Sequence, residues 1–161
     1  MREKFLKRNN QKTLTGFTLI ELLVVIAIIG LLASVVLVLL GDARQKSRDA
    51  RRWSDVRQIS TAMEMYYQAQ TPASYPDLND NRRAILAGDM TLQPYLNIVP
   101  VDPINAGSQV YYWRDRGQNT TCYCVWVELE KISGSYIIAT AKGVKQTTVN
   151  PQTVDCCAYN F

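Results

Sequence analysis

From Leu22 to Leu40 the chain runs for nineteen residues without an ionisable side chain. At about 1.5 Å per residue, a helix of that length is just long enough to cross the hydrocarbon of a bilayer. The apolar stretch begins earlier, as FTLIELLVVIAIIGLLASVVLVLL from Phe17, and Glu21 is its one charged residue. A carboxylate near the edge of a membrane span costs free energy, so it marks function and calls for a partner.

The candidate partner lies four residues upstream. A cut between Gly16 and Phe17 would leave Phe17 with a free α-ammonium. On a helix Phe17 and Glu21 then share a face as i and i+4. Their charges can cancel within one chain or between adjacent chains. The plainer alternative is a glutamate that snorkels to the interface of an ordinary membrane anchor.

GFTLIELLVVIAIIGLLAS, Gly16 to Ser34, resembles the amino-terminal signature of type IV pilins and pseudopilins. The resemblance implies a leader removed after Gly16 by a membrane prepilin peptidase. It implies methylation of the new Phe17 amine and assembly of the helices into a filament core. Glu21 takes the place of the family's acidic residue, and Gly30 matches a glycine at which such helices loosen. Val38 departs from the pattern, because many members carry proline there. The implied partners are identical or homologous pilin subunits, the peptidase, an inner-membrane assembly platform and, before assembly, the membrane. Implied too are a single-pass precursor in the cytoplasmic membrane, amino end inside, and a cell-surface filament after assembly.

Charge divides the chain in the same place. The net charge is +4. The leader, Met1 to Gly16, accounts for all of it, with Arg2, Lys4, Lys7, Arg8 and Lys12 against Glu3. The remainder is balanced, so net charge gives no argument for nucleic-acid binding. Basic residues favour the cytoplasmic side for the leader, but Asp42 to Arg52 on the far side is basic too, at a net +3, so the orientation with the amino end inside is what the pilin resemblance implies. A secretory signal peptide is the competing reading, with Gly41-Asp42-Ala43 as its cleavage site. Its apolar core would be shorter than this one and would not hold Glu21.

Four segments follow. Residues 1–16 are the basic leader, and 17–41 are the transmembrane and filament-core helix. Residues 42–70 are an amphipathic continuation of that helix. Residues 71–161 are a globular head with a cysteine-linked tail. In the continuation Trp53, Val56, Ile59, Ser60, Met63, Tyr66 and Tyr67 recur at three- and four-residue steps, one stripe of a helix. No proline interrupts it before Pro72. The expected helix runs from about Thr18 to Gln70. The spacing also predicts a short helix capped by Asp80 and stopped by Gly88. VPVDPI, residues 99–104, resembles a segment of major pseudopilins. Strands are expected at Val110–Arg114, Thr121–Glu130 and Ser135–Ala141. A hairpin turn is expected at Lys131–Gly134, another turn at Gln118–Thr120, and a polar tail from Val144. Packing the helical stripe on one face of this sheet gives an α+β fold with helix and sheet segregated. That is the lollipop of a pilin: a long amino-terminal helix whose carboxyl half lies on a small antiparallel sheet.

Four cysteines, Cys122, Cys124, Cys156 and Cys157, all lie in the last quarter. An even count in an extracytoplasmic domain favours disulfides. A zinc site is the alternative, but CxC and CC spacings do not form the usual knuckles. On a strand Cys122 and Cys124 share a face, and at least one is expected to bond to Cys156 or Cys157. With no histidine, histidine-based triads and zinc-hydrolase motifs are excluded. No phosphate-cradling glycine pattern occurs. No cofactor, metal or catalytic residue is expected, and the chain is not read as an enzyme. Asp77, Asp80, Asp89 and Asp102 are calcium ligands by type only. Asn119-Thr120-Thr121 forms a glycosylation triplet. The basic run Arg44 to Arg57 fits lipid headgroups, DNA, or ion pairs with Asp42, Asp49 and Asp55; nucleic acid stays open. Tyr66, Tyr67, Tyr75, Tyr111, Tyr112, Trp113 and Trp126 fit either a core between helix and sheet or an adhesive surface. The expected function is a structural subunit of a type IV pilus-like filament. The alternatives are a pseudopilin of a type II secretion system and a monomeric membrane-anchored binding protein.

Overall fold

The computed structural model describes residues 16–77, 83–85, 92–116, 119–153 and 157. The described residues hold one helix, α1 (Leu19–Ala69), and five strands. The strands are β1 (Arg83–Ala84), β2 (Tyr112–Arg116), β3 (Asn119–Glu128), β4 (Tyr136–Thr140) and β5 (Gly143–Thr147). They form one antiparallel sheet in sequence order. The chain divides into two compact units after Leu40.

In the first unit α1 passes through Gly30 and Val38 without a break. With no proline at 38, nothing removes a helical hydrogen bond there. Every large apolar side chain from Phe17 to Leu40 is exposed, from 41% at Leu40 to 86% at Phe17.

In the second unit α1 continues to Ala69 and buries Arg52, Asp55, Val56, Ile59, Ser60, Ala62 and Met63. It stops where Thr71-Pro72 pushes the chain away from helical angles. Val56, Ile59 and Met63 join one core with Trp113 of β2, Tyr123, Val125 and Val127 of β3, and Ile137 and Ala139 of β4. The valine, isoleucine and methionine side chains among them each contribute about 1.5–3 kcal/mol on burial. Alternation along β3 sends its other residues outward. Cys124 and Trp126, with Ile138 of β4, form a second cluster beneath Tyr112 and Tyr136. Tyr112 stacks on Trp126 at 5.7 Å.

Part of the tail covers this outer face. Pro151 is fully buried, and the Gln152 carbonyl accepts from Arg114 at 3.1 Å. A disulfide joins Cys122 to Cys157 across 35 residues, with Cα atoms 5.4 Å apart. A loop of that size contributes roughly 3–4 kcal/mol in the chain-entropy model. Cys124 is disulfide-bonded as well; its partner lies outside the described residues.

Three expectations are corrected. The helix expected after Asp80 is replaced at Arg83–Ala84 by a strand on β2, while Asp80 and Gly88 lie outside the described residues. Ile85 is buried, and its N–H donates to the Tyr111 carbonyl at 2.8 Å, so the sheet claims the backbone that a helix would need. Asn119 and Thr120, expected in a turn, begin β3. The polar stretch from Val144 is not all tail: Gly143–Thr147 closes a hairpin on β4. Gly143, at φ 128, permits the short connection from Thr140 that aligns it. The Lys131–Gly134 turn forms as expected, with Gly134 at φ 73 and Ser135 N–H on the Ile132 carbonyl at 3.0 Å.

Three buried tyrosines tie α1 to the head. Tyr111 donates to Asp55 at 2.7 Å, Tyr75 to Glu64 at 2.9 Å, and Tyr123 meets Ser60 at 3.0 Å. Burial, then the facing carboxylates, pushes Tyr75 and Tyr111 far above the ordinary phenol value. Burial raises Tyr123 too, against an opposing hydrogen bond with Ser60. The folded state therefore keeps protons that the unfolded chain gives up above about pH 10. Stability should hold below that value and fall as pH rises beyond it. The last part of the tyrosinate absorbance, that of these three residues, should then appear together with loss of near-ultraviolet circular dichroism. Ionisation of all nine tyrosines at the ordinary value in a still-folded chain would contradict this.

Candidate assembly site

The amino end of α1 is a capping box. Thr18 precedes the first helical residue, and its Oγ1 accepts from the Glu21 N–H at 3.3 Å. Glu21 Oε2 accepts in return from the Thr18 N–H at 2.9 Å and the Thr18 hydroxyl at 2.7 Å. Two backbone donors that a helix leaves unpaired are thus satisfied. The signal for this was T-x-x-E, residues 18–21, which sequence reasoning passed over while pairing Glu21 with Phe17. Glu21 therefore has a local partner, Thr18, before any charge reaches it from Phe17.

Beyond the cap the stem is apolar all round, and among the described residues nothing covers it. Such a surface requires either lipid or other apolar helices around it. A Cβ added at Gly30 would meet nothing within 4 Å, so no contact inside the chain demands glycine there. The Ser34 hydroxyl is satisfied by the Leu31 carbonyl at 2.7 Å, which leaves it acceptable in an apolar setting.

The stem's continuation is locked into the head by buried charge. Arg52 is fully buried. Its Nε donates to Asp102 Oδ2 at 2.6 Å and its Nη2 to Asp102 Oδ1 at 3.0 Å, a bidentate pair. Its Nη1 donates to Asp49 at 2.7 Å and to Glu130 at 3.4 Å. Arg48 grips Glu130 through both Nε and Nη2. Asp49 also accepts the backbone N–H groups of Glu130 and Lys131 at 3.0 and 3.1 Å. Lys131 reaches Asp42 at 3.2 Å. Burial works against the Arg52 charge, but the bonds to Asp102 and Asp49 outweigh it and raise its pKa. The Arg48 hydrogen bonds hold Glu130 below the usual carboxylate range.

The Arg44 to Arg57 run was expected to pair at helical spacings. Arg51 meets Asp55 at 3.6 Å and Arg52 meets Asp49 in that way. The stronger partners, Asp102 and Glu130, lie fifty or more residues away. Arg57 instead lies over the Trp53 ring at 5.3 Å. Asp102 belongs to the VPVDPI segment, and its Oδ1 also accepts from the N–H groups of Ile104 and Asn105 at 2.8 and 3.2 Å. Its place there explains an aspartate between two prolines better than calcium does. Among the described residues no group of carboxylates and cysteines is placed to hold a metal.

The prokaryotic N-terminal methylation motif matches residues 15–37. The chain is 32% identical over 96 residues to the Type II secretion system core protein G of Escherichia coli K12, a match that covers 55% of this chain and 65% of that protein. The protein of the same name from Pectobacterium carotovorum is 32% identical over 97 residues, covering 55% and 60%. The one from Vibrio cholerae O1 is 28% identical over 110 residues, covering 64% and 74%. The chain thus spans somewhat under two thirds of the first two relatives. No solved structure matches it significantly.

Proposed function

We propose that this chain, on which the amino-terminal methylation motif matches residues 15–37, is a pilin-like protein and a structural subunit of a type IV pilus-like filament. The observation that carries the proposal is the stem: a capped helix, apolar on every side and exposed along its length among the described residues, on which the motif match lies. The apolar stem holds the subunit in the cytoplasmic membrane and then exchanges lipid for neighbouring stems. That exchange releases little hydrophobic energy, so small residues such as Gly30, Ala33 and Ser34 and the charge of Glu21 supply the specificity. A helical array of this kind is heterologous and does not close, so it grows. The subunit's work is architectural rather than catalytic.

The second reading, a pseudopilin of a type II secretion system, is favoured by the relatives' names. Electron microscopy of sheared surface material at native expression separates the two. Long filaments containing this chain support the pilus; its confinement to the cell envelope supports the secretion system. Its recovery only as a dispersed membrane-held monomer would defeat both.

Processing gives a further expected result. The mature chain should begin at Phe17 with a methylated amine, and Gly16→Leu should block cleavage by crowding the peptidase. Intact-mass analysis of assembled material checks this. Retention of Met1, or a start after Ala43, would contradict it.

A further inference from the structure

On the face of the sheet turned away from α1, side chains from three strands converge with the tail. Tyr112, Trp126, Glu128 and Tyr136, together with Ser108 and Gln152, line a cavity of about 70 Å³. Trp126 is 1% exposed, and its indole N–H is buried without a hydrogen-bond partner. An unpaired buried donor costs free energy, and Trp126, unlike Trp113, belongs to the wall of a cavity that leaves room for an acceptor. Beside it stands Glu128, half-buried, with Oε1 accepting from the Gly134 N–H at 3.1 Å. No bond to Oε2 occurs among the described residues. Tyr112 stacks on the Trp126 ring and Tyr136 packs against the same cluster, which supplies apolar faces.

These features exclude two ligand classes and favour a third. An anion would meet the Glu128 carboxylate. A cation would suit that carboxylate and the rings but would be turned away by the indole N–H. A hydroxyl answers both groups, accepting from Trp126 and donating to Glu128, while aliphatic C–H groups lie on the aromatic rings. We propose that this cavity is a saccharide subsite that takes one hydroxyl-bearing edge of a sugar ring. The cavity suits an edge or a hydroxymethyl group, and the rest of the ring would lie outward over Ser108 and Gln152, which are exposed. The Cys122–Cys157 bond ties the tail to β3, so it also holds the wall that bears Gln152. Of the aromatics that fit either a core or an adhesive surface, Tyr112 and Trp126 line this cavity, joined by Tyr136.

The test uses the full chain, disulfides intact, in micelles of a detergent without a sugar headgroup. The tryptophan indole N–H resonances are followed by NMR, with Trp126 assigned from Trp126→Phe. Trp113, whose indole N–H is also buried and unpaired but sits on the helix side of the sheet, is the internal control. The probes are methyl β-glucopyranoside, methyl β-galactopyranoside and N-acetylglucosamine. At least one should move the Trp126 resonance saturably in the millimolar range and leave Trp113 still. Glu128→Gln keeps the oxygen that Gly134 needs and should weaken that binding about tenfold through loss of a charge-assisted bond. The proposal is overturned by no movement with any probe, or by a linear, unsaturable drift, as expected of a cavity that holds only water. A shift with tetramethylammonium instead of sugars, or equal affinity in Glu128→Gln, overturns it as well.

Discussion

Replacing Arg52 by methionine is expected to destabilise the head by about 3–5 kcal/mol, the usual cost of breaking a buried ion pair from one side. The loss is large because Arg52 is fully buried and serves three carboxylates, Asp102, Asp49 and Glu130. Its removal leaves Asp102, also fully buried, as a charge with no cation against it. Methionine fills most of the volume, so the deficit comes from charge rather than from a void. Adding Asp102→Leu should recover only part of it. Asp102 also holds the Ile104 and Asn105 N–H groups, which would then lose their acceptor. Arg48→Met should cost much less, because a third of the Arg48 side chain is already in solvent. Chemical denaturation of the full chain in micelles, followed by near-ultraviolet circular dichroism, measures all three. An Arg52→Met midpoint equal to that of Arg48→Met would show that the network is incidental.

The second large effect concerns Glu21, for which the structure offers a role that sequence alone did not. If Glu21 serves only the capping box with Thr18, Glu21→Gln keeps the box, since glutamine fills that position as well, and assembly stays normal. If the carboxylate also answers the Phe17 ammonium of a neighbouring subunit, glutamine and valine should fail together. In either variant the ammonium would be buried among apolar stems without a counter-charge. Removing one partner of a buried pair corresponds to a loss of assembled subunit of about a hundredfold or more. Membrane insertion, cleavage and folding of the head should survive, and insertion of Glu21→Val should improve. The readout is the ratio of sheared filament to processed, membrane-held subunit. We expect both variants to fall to a similarly low ratio. Normal filaments from Glu21→Gln would reduce Glu21 to a cap, and normal filaments from Glu21→Val would remove even that role.

Much of this architecture was legible because it is periodic. The stem shows itself through an unbroken apolar run, and the continuation through the three- and four-residue steps from Trp53 to Tyr67. β3 shows itself through a period-two pattern, and β4 through a short apolar run after a hairpin turn. What escaped was structure whose signal lies in a partner. Arg83–Ala84 is a strand only because β2 offers it an edge. Gly143–Thr147 is polar because it is an outermost strand, so it carries no apolar stripe. Arg52 sits in a run of charges that reads as a solvated face, and nothing within a few residues reveals a partner fifty positions away. Asp55 was hidden for the same reason: it is buried against Tyr111, yet at helical spacing it reads as a surface partner for Arg51.

The position of that charged network has a mechanical consequence. A subunit drawn from a bilayer by its stem is loaded along the helix axis, and the load enters the head just beyond Gly41. Asp42, Arg48, Asp49 and Arg52 occupy the first three turns after that point. They join the helix to two separate anchors, the loop at Asp102 and the hairpin end at Glu130 and Lys131. Tension along α1 beyond Gly41 would reach these ion pairs before the apolar contacts of Val56, Ile59 and Met63. Within the second unit, the first turns of the helix are thus fastened by charge, and the later turns by apolar packing.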